Sequence, residues 1–472
     1  MIRKLLIANR GEIAVRIIRA CAELDIRSVA IYSEADRFAL HVKKADEAYC
    51  IGAEELAGYL NPHRIVNLAA ATGCDAVHPG YGFLSENPEL ARACAVRGLV
   101  FVGPNADTIR LLGDKTQARA AMVAAGVPVT PGSEGNVERL EAALEEAARI
   151  GYPVMLKATS GGGGRGIRRC DSAHELAQNY RRVVSEATQA FGRAEVFLEK
   201  CIERPRHIEV QVLGDHFGNV VHLYERDCSI QRRNQKLIEI APSPQLRPEQ
   251  REFIGQLAVR AAKAADYRNA GTVEFLLTGT GEFYFMEVNT RIQVEHTITE
   301  EITGIDIVKE QIHIANHQPL SFRQEDVRYH GYAMQLRINA EDPKNNFLPS
   351  YGRLTRYYAP GGPGVRIDTA IYTGYEIPPH YDSLCAKLIV SGRTWEETIA
   401  RGRRVLGDIA ISGVRTTLPF YREILDHPEF RRGVFDTGFL QDHPELLNYS
   451  LKRGRSEAAL AIAAAIAAHV GL

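Results

Sequence analysis

From Met286 onward, the stretch Phe283–His296 (F-Y-F-M-E-V-N-T-R-I-Q-V-E-H) alternates apolar and polar residues almost without a break. Successive side chains on an extended strand point to opposite faces. The spacing therefore predicts Glu287, Asn289, Arg291, Gln293 and Glu295 on one face and Met286, Val288, Ile292 and Val294 on the other. The apolar row has to be buried, which ties the stretch to a sheet packed on a core. The polar row is unlike an ordinary solvated face, because it holds no Lys and sets one Arg among two acids and two amides.

Upstream, Gly271–Leu277 (G-T-V-E-F-L-L) reads as a second strand, ended by the turn Thr278-Gly279-Thr280-Gly281. A hairpin there would set Glu274 diagonal to Glu287 on one face. Two carboxylates that close repel each other unless a cation lies between them. Mg²⁺ typically takes one or two carboxylates together with nucleotide phosphates. Against this stands the plainer reading of a solvent-facing hairpin with scattered charges.

A chain of 472 residues has room for about three domains. Its net charge of −1 supplies no general attraction to nucleic acid or to an anionic membrane. The eight Cys are scattered without a C-x-x-C pair, which suits reduced thiols rather than a disulfide or zinc framework. The longest nearly apolar run, Ala458–Ala468, is too short to span a bilayer. With Met1 leading directly into a strand pattern and no signal peptide in front of it, a cytoplasmic protein is expected.

Residues 1–112 alternate strands (Ile2–Ala8, Ser28–Tyr32, Ala76–His78, Leu99–Val102) with helices, the pattern of a doubly wound parallel sheet. Neither G-x-G-x-x-G nor a P-loop occurs. The polar, Gly-rich segment His78–Asn87 is expected to be a loop at a strand's carboxyl end, where such sheets present their sites. Gly113-Asp114-Lys115 opens a helix that closes at Gly126. Tyr152–Ala158 is then a strand that runs into Thr159–Gly166, with five Gly in the six positions from Gly161 to Gly166. Such a loop exposes backbone N–H groups without side-chain obstruction, as a phosphate cradle requires. Lys115 and Lys157 would add point charges for phosphate oxygens.

Further strands are expected at Val196–Cys201, Arg206–Leu213 and Val220–Glu225, with His207, Glu209 and Gln211 on one face. His207 alone would more often be a satisfied structural histidine than a ligand. Glu225–Lys236 (E-R-D-C-S-I-Q-R-R-N-Q-K) reads as a polar loop suited to small anions, since no aromatic residue interleaves it for nucleic acid.

Taken together, these segments resemble the biotin carboxylase component of biotin-dependent carboxylases, an ATP-grasp ligase family. The motifs are I-A-N-R-G-E-I-A from Ile7, H-P-G-Y-G-F-L-S-E-N from His78, K-A-T-S-G-G-G-G-R-G from Lys157, the segment from Glu225, and M-E-V-N-T-R-I-Q-V-E-H from Met286. They occur in the family's order, and the likeness extends over about residues 1–445.

The resemblance implies an α/β protein with an N-terminal doubly wound domain (1–112) and an ATP-grasp domain (113–330) whose mobile lid covers about 132–202. A C-terminal α/β domain (331–446) and an Ala-rich helical tail (447–472) would follow. Carried over residue by residue, it implies ATP binding by Lys115, Lys157, Gly161, Gly162, Gly163, Gly164, Gly166, Glu199, Lys200, Ile202, His207, Gln231, Asn234 and Leu276. Glu274, Glu287 and Asn289 would hold Mg²⁺ or Mn²⁺, two ions in all. Lys236, Arg291, Gln293, Val294 and Glu295 would form the bicarbonate pocket, with Glu295 as the base and Arg337 stabilising the biotin enolate. One departure stands out: Asn234 occupies a position where many members carry His, which puts a proton-transfer role there in doubt.

The Met-Lys-Met turn of a biotin carrier is absent, and no length remains for a carboxyltransferase. By the family's logic, biotin is a substrate borne on another chain that also carries or recruits the transferase. A homodimer within a larger hetero-oligomer is the family expectation, with no nucleic-acid or membrane partner. The tail is expected to form a helix with Ile462, Ile466 and Val470 on one stripe, packed on its own domain or docked on a partner chain. This tail and Pro363 look similar to those of biotin carboxylase subunits from two-subunit pyruvate carboxylases, which makes pyruvate the expected acceptor and an acyl-CoA the alternative. Two readings from other classes are another ATP-grasp ligase and a non-catalytic nucleotide-binding protein. Arg291–Glu295 and Arg337 weigh against the first, and retention of Glu274, Glu287 and Glu295 weighs against the second.

Overall fold

The structure, a computed structural model, describes residues 1–159, 166–191 and 195–450, together with 462, 463, 466, 467 and 469. Four of the glycines expected to cradle phosphate, Gly161–Gly164, and most of the tail, including Val470 of its stripe, lie outside the described residues.

The first sheet is parallel, with strands β1 (Lys4–Ile7), β2 (Arg27–Tyr32), β3 (Glu47–Cys50), β4 (Ala76–His78) and β5 (Val100–Phe101) in the order β3-β2-β1-β4-β5. Order reverses on the two sides of β1, the mark of double winding. Strand β3 was not among the expected strands; it is a four-residue edge strand with no fully buried residue. The helix Gly11–Glu23 buries Ile13, Ile17 and Ala20 against this sheet. The loop after β4 carries Glu86 toward the middle of the molecule.

A second, three-stranded sheet, β6 (Val154–Ala158), β7 (Ile167–Cys170) and β8 (Val196–Lys200), has β6 at its centre. It packs with the helices Leu140–Ile150 and Ala173–Phe191 around its own small core.

The largest sheet is antiparallel. It comprises β9 (Arg206–Gly214), β10 (Val220–Arg232), β11 (Gln235–Ala241), β12 (Asn269–Leu277), β13 (Phe283–Asn289), β14 (Tyr332–Asn339), β15 (Val365–Thr369) and β16 (Leu384–Gly392). Their order is β13-β12-β9-β10-β11-β14-β16-β15. The sheet therefore runs on across the boundary expected near residue 331, and the C-terminal strands extend it rather than starting another. Period-two alternation divides its faces. Ile208, Val210, Val212 and Val273 enter one core, and Met334, Leu336, Ile338, Leu388 and Val390 enter another with Trp395. His207, Glu209, Gln211, Glu274 and Arg337 are thereby left on the opposite face.

Two sequence expectations are corrected here. The polar segment Glu225–Lys236 is not a loop: it is the end of β10 and the start of β11, joined by Arg233 and Asn234 at φ +50° and +64°. Both residues are left-handed, as a two-residue hairpin turn requires, and Asn tolerates that conformation better than most residues. The polarity misled because Arg226, Asp227 and Ser229 are buried by virtue of their hydrogen-bond and ionic partners rather than by being apolar. The second correction concerns the alternating stretch. The strand ends at Asn289, and a new helix, His296–Thr303, begins just after Glu295. Arg291, Gln293 and Glu295 thus reach the site from a turn, although Ile292 is fully buried as its apolar character demands.

One buried cation ties three regions together. Lys387 on β16, fully buried, lies 2.9 Å from Glu12 of the first helix and donates to the Val294 carbonyl at 3.2 Å. Tyr81 donates to the same Glu12 carboxylate. Removing one partner of such a pair leaves the other charge buried and uncompensated. Lys387→Met is expected to lower unfolding free energy by about 3–5 kcal/mol, seen as an earlier urea midpoint. Adding Glu12→Gln to that variant should recover part of the loss.

Candidate active site

The register of the large sheet builds the site. Glu287 on β13 stands directly opposite Glu274 on β12, Glu274 opposite Glu209 on β9, and Glu209 opposite Arg226 on β10. Glu274 and Glu287 are therefore direct partners and not diagonal ones; a bulge after Glu274 shifts the hairpin register by one step. Like charges side by side on neighbouring strands are unfavourable, so this row of carboxylates needs cations.

Lys236, from β11, is the main one. Its Nζ lies 2.5 Å from Glu209, 2.8 Å from Glu274 and 2.8 Å from Glu295. Burial alone would discharge it, but the three carboxylates hold its pKa well above the ordinary lysine value. Arg226, wholly buried, donates to Glu209 at 2.5 Å and to Gln211, Thr272 and Thr299. Burial pushes the Glu274 carboxyl up, but Lys236 and His207 outweigh it and hold it well below the usual range. His207 is 2.8 Å from Glu274 through Nε2.

Glu295, fully buried, is held from two sides: Lys236 at one oxygen and the Arg337 Nη2 at the other, 3.0 Å away. Burial would raise its pKa, yet Lys236, Arg337 and Arg226 keep it below the ordinary carboxylate value. Arg337 also donates from Nε to Glu239 at 2.5 Å. Arg291 lies in a ring of acceptors: Glu86 at 2.9 Å, Asn289 at 3.0 Å and Gln293 at 3.0 Å. The amides of Asn289 and Gln293 donate onward to Glu274 at 2.8 and 3.3 Å. Val294 offers its carbonyl to Lys387.

Glu287 differs from its neighbours. Burial first, then the Glu274 charge, raise its pKa, and Lys115 only partly offsets them. A carboxylate pair with one member short of positive charge fits a hard divalent cation bound through oxygen; the Asn289 amide turns its nitrogen to Glu274 and its oxygen to Arg291, so it would have to flip to join them.

The nucleotide candidates are divided between the second sheet and the large one. Lys115 opens the helix Lys115–Ala124, which is capped by Asp114 accepting from the Thr116 and Gln117 amides at 3.0 Å. Lys157 on β6 is ion-paired with Glu199 on β8, which Arg119 also approaches at 3.3 Å. Lys200 donates to the Gly151 and Tyr152 carbonyls at 2.9 and 2.8 Å, and Ile202 is half-buried just past β8. Leu276 stands opposite His207, and Gln231 opposite Lys236. Asn234 is exposed at the hairpin tip. Gly166 has φ +70°, and a Cβ there would sit 2.9 Å from that of Ala158. A side chain at Gly166 would thus open the close contact between the end of the Gly-rich loop and β6.

Four charged residues of the site carry no assignment from the sequence: Glu209, Arg226, Glu239 and Glu86. For Glu209 the available signal is the face it shares with His207. Arg226 and Glu86 lie inside motifs named above, but their partners are distant in sequence. Glu239 has no local signal.

Three family models match the chain: "Biotin carboxylase, N-terminal domain" over residues 1–109, "Carbamoyl-phosphate synthase L chain, ATP binding domain" over 114–323 and "Biotin carboxylase C-terminal domain" over 335–442. The 2-oxoglutarate carboxylase small subunit of Hydrogenobacter thermophilus is 54% identical over 100% of both chains. A pyruvate carboxylase subunit of Methanothermobacter thermautotrophicus is 50% identical over 96% of this chain and 92% of its own. Among solved structures, the biotin carboxylase domain dimer of the Hydrogenobacter thermophilus 2-oxoglutarate carboxylase, in complex with MgADP, ADP and bicarbonate, aligns with a TM-score of 0.94. It is 55% identical and covers 96% of this chain and 100% of its own.

Buried beside Arg337 and Glu295, Glu239 has its pKa pushed up to about 7, by burial first and by the Glu295 charge, against the pull of Arg337. A raised carboxyl means that the folded chain binds this proton more tightly than the unfolded one. Stability from this group is therefore intact below the unfolded value near 4.5 and declines as pH rises toward about 7. Glu239→Gln is expected to flatten that decline, measured as urea midpoints between pH 5 and 8.

Proposed function

The chain belongs to the biotin carboxylase family, ATP-dependent ligases, and from that premise we propose that it carboxylates biotin carried on a separate chain, by way of carboxyphosphate. The observation that supports this most directly is the Glu295 carboxylate held in a buried site between Lys236 and Arg337.

In this reading bicarbonate lies against Lys236, Arg291, Gln293 and the Val294 backbone. Its negative charge offsets the cations around Glu295 and so raises that carboxylate's affinity for a proton. Glu295 takes the bicarbonate proton, and the dianion, steadied by Lys236 and Arg291, attacks the γ-phosphorus with ADP leaving. Lys115, Lys157 and the Gly161–Gly166 loop hold the phosphates. Glu199, Lys200 and Ile202 lie along the base, and His207, Gln231, Asn234 and Leu276 contribute to the nucleotide site. Glu274, Glu287 and Asn289 would hold two Mg²⁺ or Mn²⁺ ions, whose chemistry would be to neutralise charge on the triphosphate. Carboxyphosphate releases CO₂ and phosphate. Phosphate removes the ureido N–H proton, Arg337 stabilises the resulting enolate, and the ureido nitrogen attacks CO₂. Closure of the lid formed by the β6–β8 sheet keeps water from the intermediate.

The acceptor is a 2-oxo acid in this proposal, with pyruvate as the first candidate. The support is that relatives matched over nearly the whole chain are named for pyruvate and 2-oxoglutarate. An acyl-CoA is the alternative. The carrier and carboxyltransferase belong to another chain, and this one forms a homodimer within that assembly. Among the described residues no helix is long and apolar enough to cross a membrane. The discriminating experiment isolates the assembly with its partner chain and compares biotin-dependent incorporation of labelled bicarbonate into pyruvate, 2-oxoglutarate and acetyl-CoA. Incorporation confined to acetyl-CoA would overturn the 2-oxo acid reading.

Glu295→Gln is expected to reduce biotin-dependent ATP cleavage by about 10²–10⁴-fold, the worth of a positioned general base, while ATP affinity by calorimetry stays within a few-fold. Arg337→Ala should slow biotin carboxylation with ATP affinity similarly spared.

A further inference from the structure

Away from the site just described, the C-terminal domain gathers a second cluster of metal-ligating side chains. Asp426 ends the helix Leu418–Asp426; His427 follows it, and Glu429 lies in the next turn, Pro428–Arg431. His443 and Glu445 arrive from further along the chain, around the turn Pro444–Leu447. The His443 Nε2 lies 3.0 Å from Glu429, and its Nδ1 lies 3.0 Å from Glu445. The two imidazole rings are 4.1 Å apart. One ligand atom from each of His427, Glu429 and His443 falls within 4.8 Å of the others. Both rings back onto the buried Phe439, while the two carboxylates open to solvent. The His427 Nδ1 is buried with no hydrogen-bond partner among the described residues.

We propose that His427, His443 and Glu429 bind a divalent transition metal of the Zn²⁺ class, with Glu445 orienting His443. Imidazole and carboxylate are ligand types that Zn²⁺ favours, and two His with one carboxylate leave a fourth, solvent-facing position for water. Adjacent ligand atoms of a tetrahedral site with bonds of about 2.1 Å lie roughly 3.4 Å apart. The 3.0 Å between His443 and Glu429 is close to that, so the ion fits with small side-chain movements. The Glu445 contact at Nδ1 is the kind of outer partner that fixes a ligating imidazole's tautomer, aiming the Nε2 lone pair at the ion. Phe439 keeps both rings from swinging inward. Bound there, the ion cross-links the turn after the helix Leu418–Asp426 to the segment that leads into Tyr449 and the tail. Its role is a clamp on the end of the C-terminal domain.

The rival account is a hydrogen-bonded cluster that takes no metal, with His443 set between Glu429 and Glu445. Equilibrium dialysis of the chelator-treated full chain against Zn²⁺, without nucleotide, separates the two. Because the Glu274–Glu287 centre can also take Zn²⁺, the quantity read is the difference between the native chain and His427→Gln/His443→Gln. The expected result is one equivalent of Zn²⁺ per chain lost in the double variant, together with loss of a Zn²⁺-induced rise in melting temperature. Glu429→Gln, at a solvent-facing carboxylate and so harmless to folding, should weaken that equivalent at least tenfold. Glu445→Gln should keep the equivalent but weaken it about 10–100-fold. Equal Zn²⁺ content and equal melting response in the native chain and Glu429→Gln would overturn the proposal.

Discussion

The site rests on one ammonium group surrounded by carboxylates. Lys236 lies within 2.8 Å of Glu209, Glu274 and Glu295, three acids that the sheet and the turn after β13 bring together away from water. Each carboxylate is expensive to bury alone, and the one cation offsets that cost for all three. In the proposed reading the same charge would also draw the bicarbonate anion, so that folding and binding would use one group. Arg226 and Arg337 extend the arrangement on either side by pairing with Glu209 and with Glu239 and Glu295.

This arrangement also explains why neighbouring carboxylates have unlike properties. Glu274 and Glu295, touched by Lys236, are held in the ionised form. Glu287 and Glu239 have less positive charge for their burial and bind protons more readily. Proton affinity thus differs between acids of one cluster according to the cations that each one touches. The body is braced from behind by Lys387, which joins the first helix and the last long strand to the turn that carries Arg291–Glu295.

Alternation along β9, β12 and β13 was legible in the residues, because an amphipathic strand has to bury its apolar row. The doubly wound first sheet and the capped Lys115 helix were legible for similar local reasons. The motifs pointed to the family because their order is a property of the chain. What misled was polarity read as exposure. Glu225–Lys236 looks like a solvated loop, yet its Arg226 is satisfied by Glu209, Gln211 and Thr299, residues that nothing in the segment itself announces. The alternation beyond Asn289 likewise looked like strand, although the chain turns there and starts a helix.

The sequence by itself determined several strands and their faces, which follow from periodicity, while most of the residues of the cleft were named from the resemblance to a known family. Only the tertiary structure decided which charge meets which. The Glu287–Glu274–Glu209–Arg226 row, the three-way contact of Lys236 and the seat of Arg337 depend on strand order and register. Those are fixed by packing between segments far apart in the chain, and electrostatic pairing falls off too steeply with distance to be read before that packing is known.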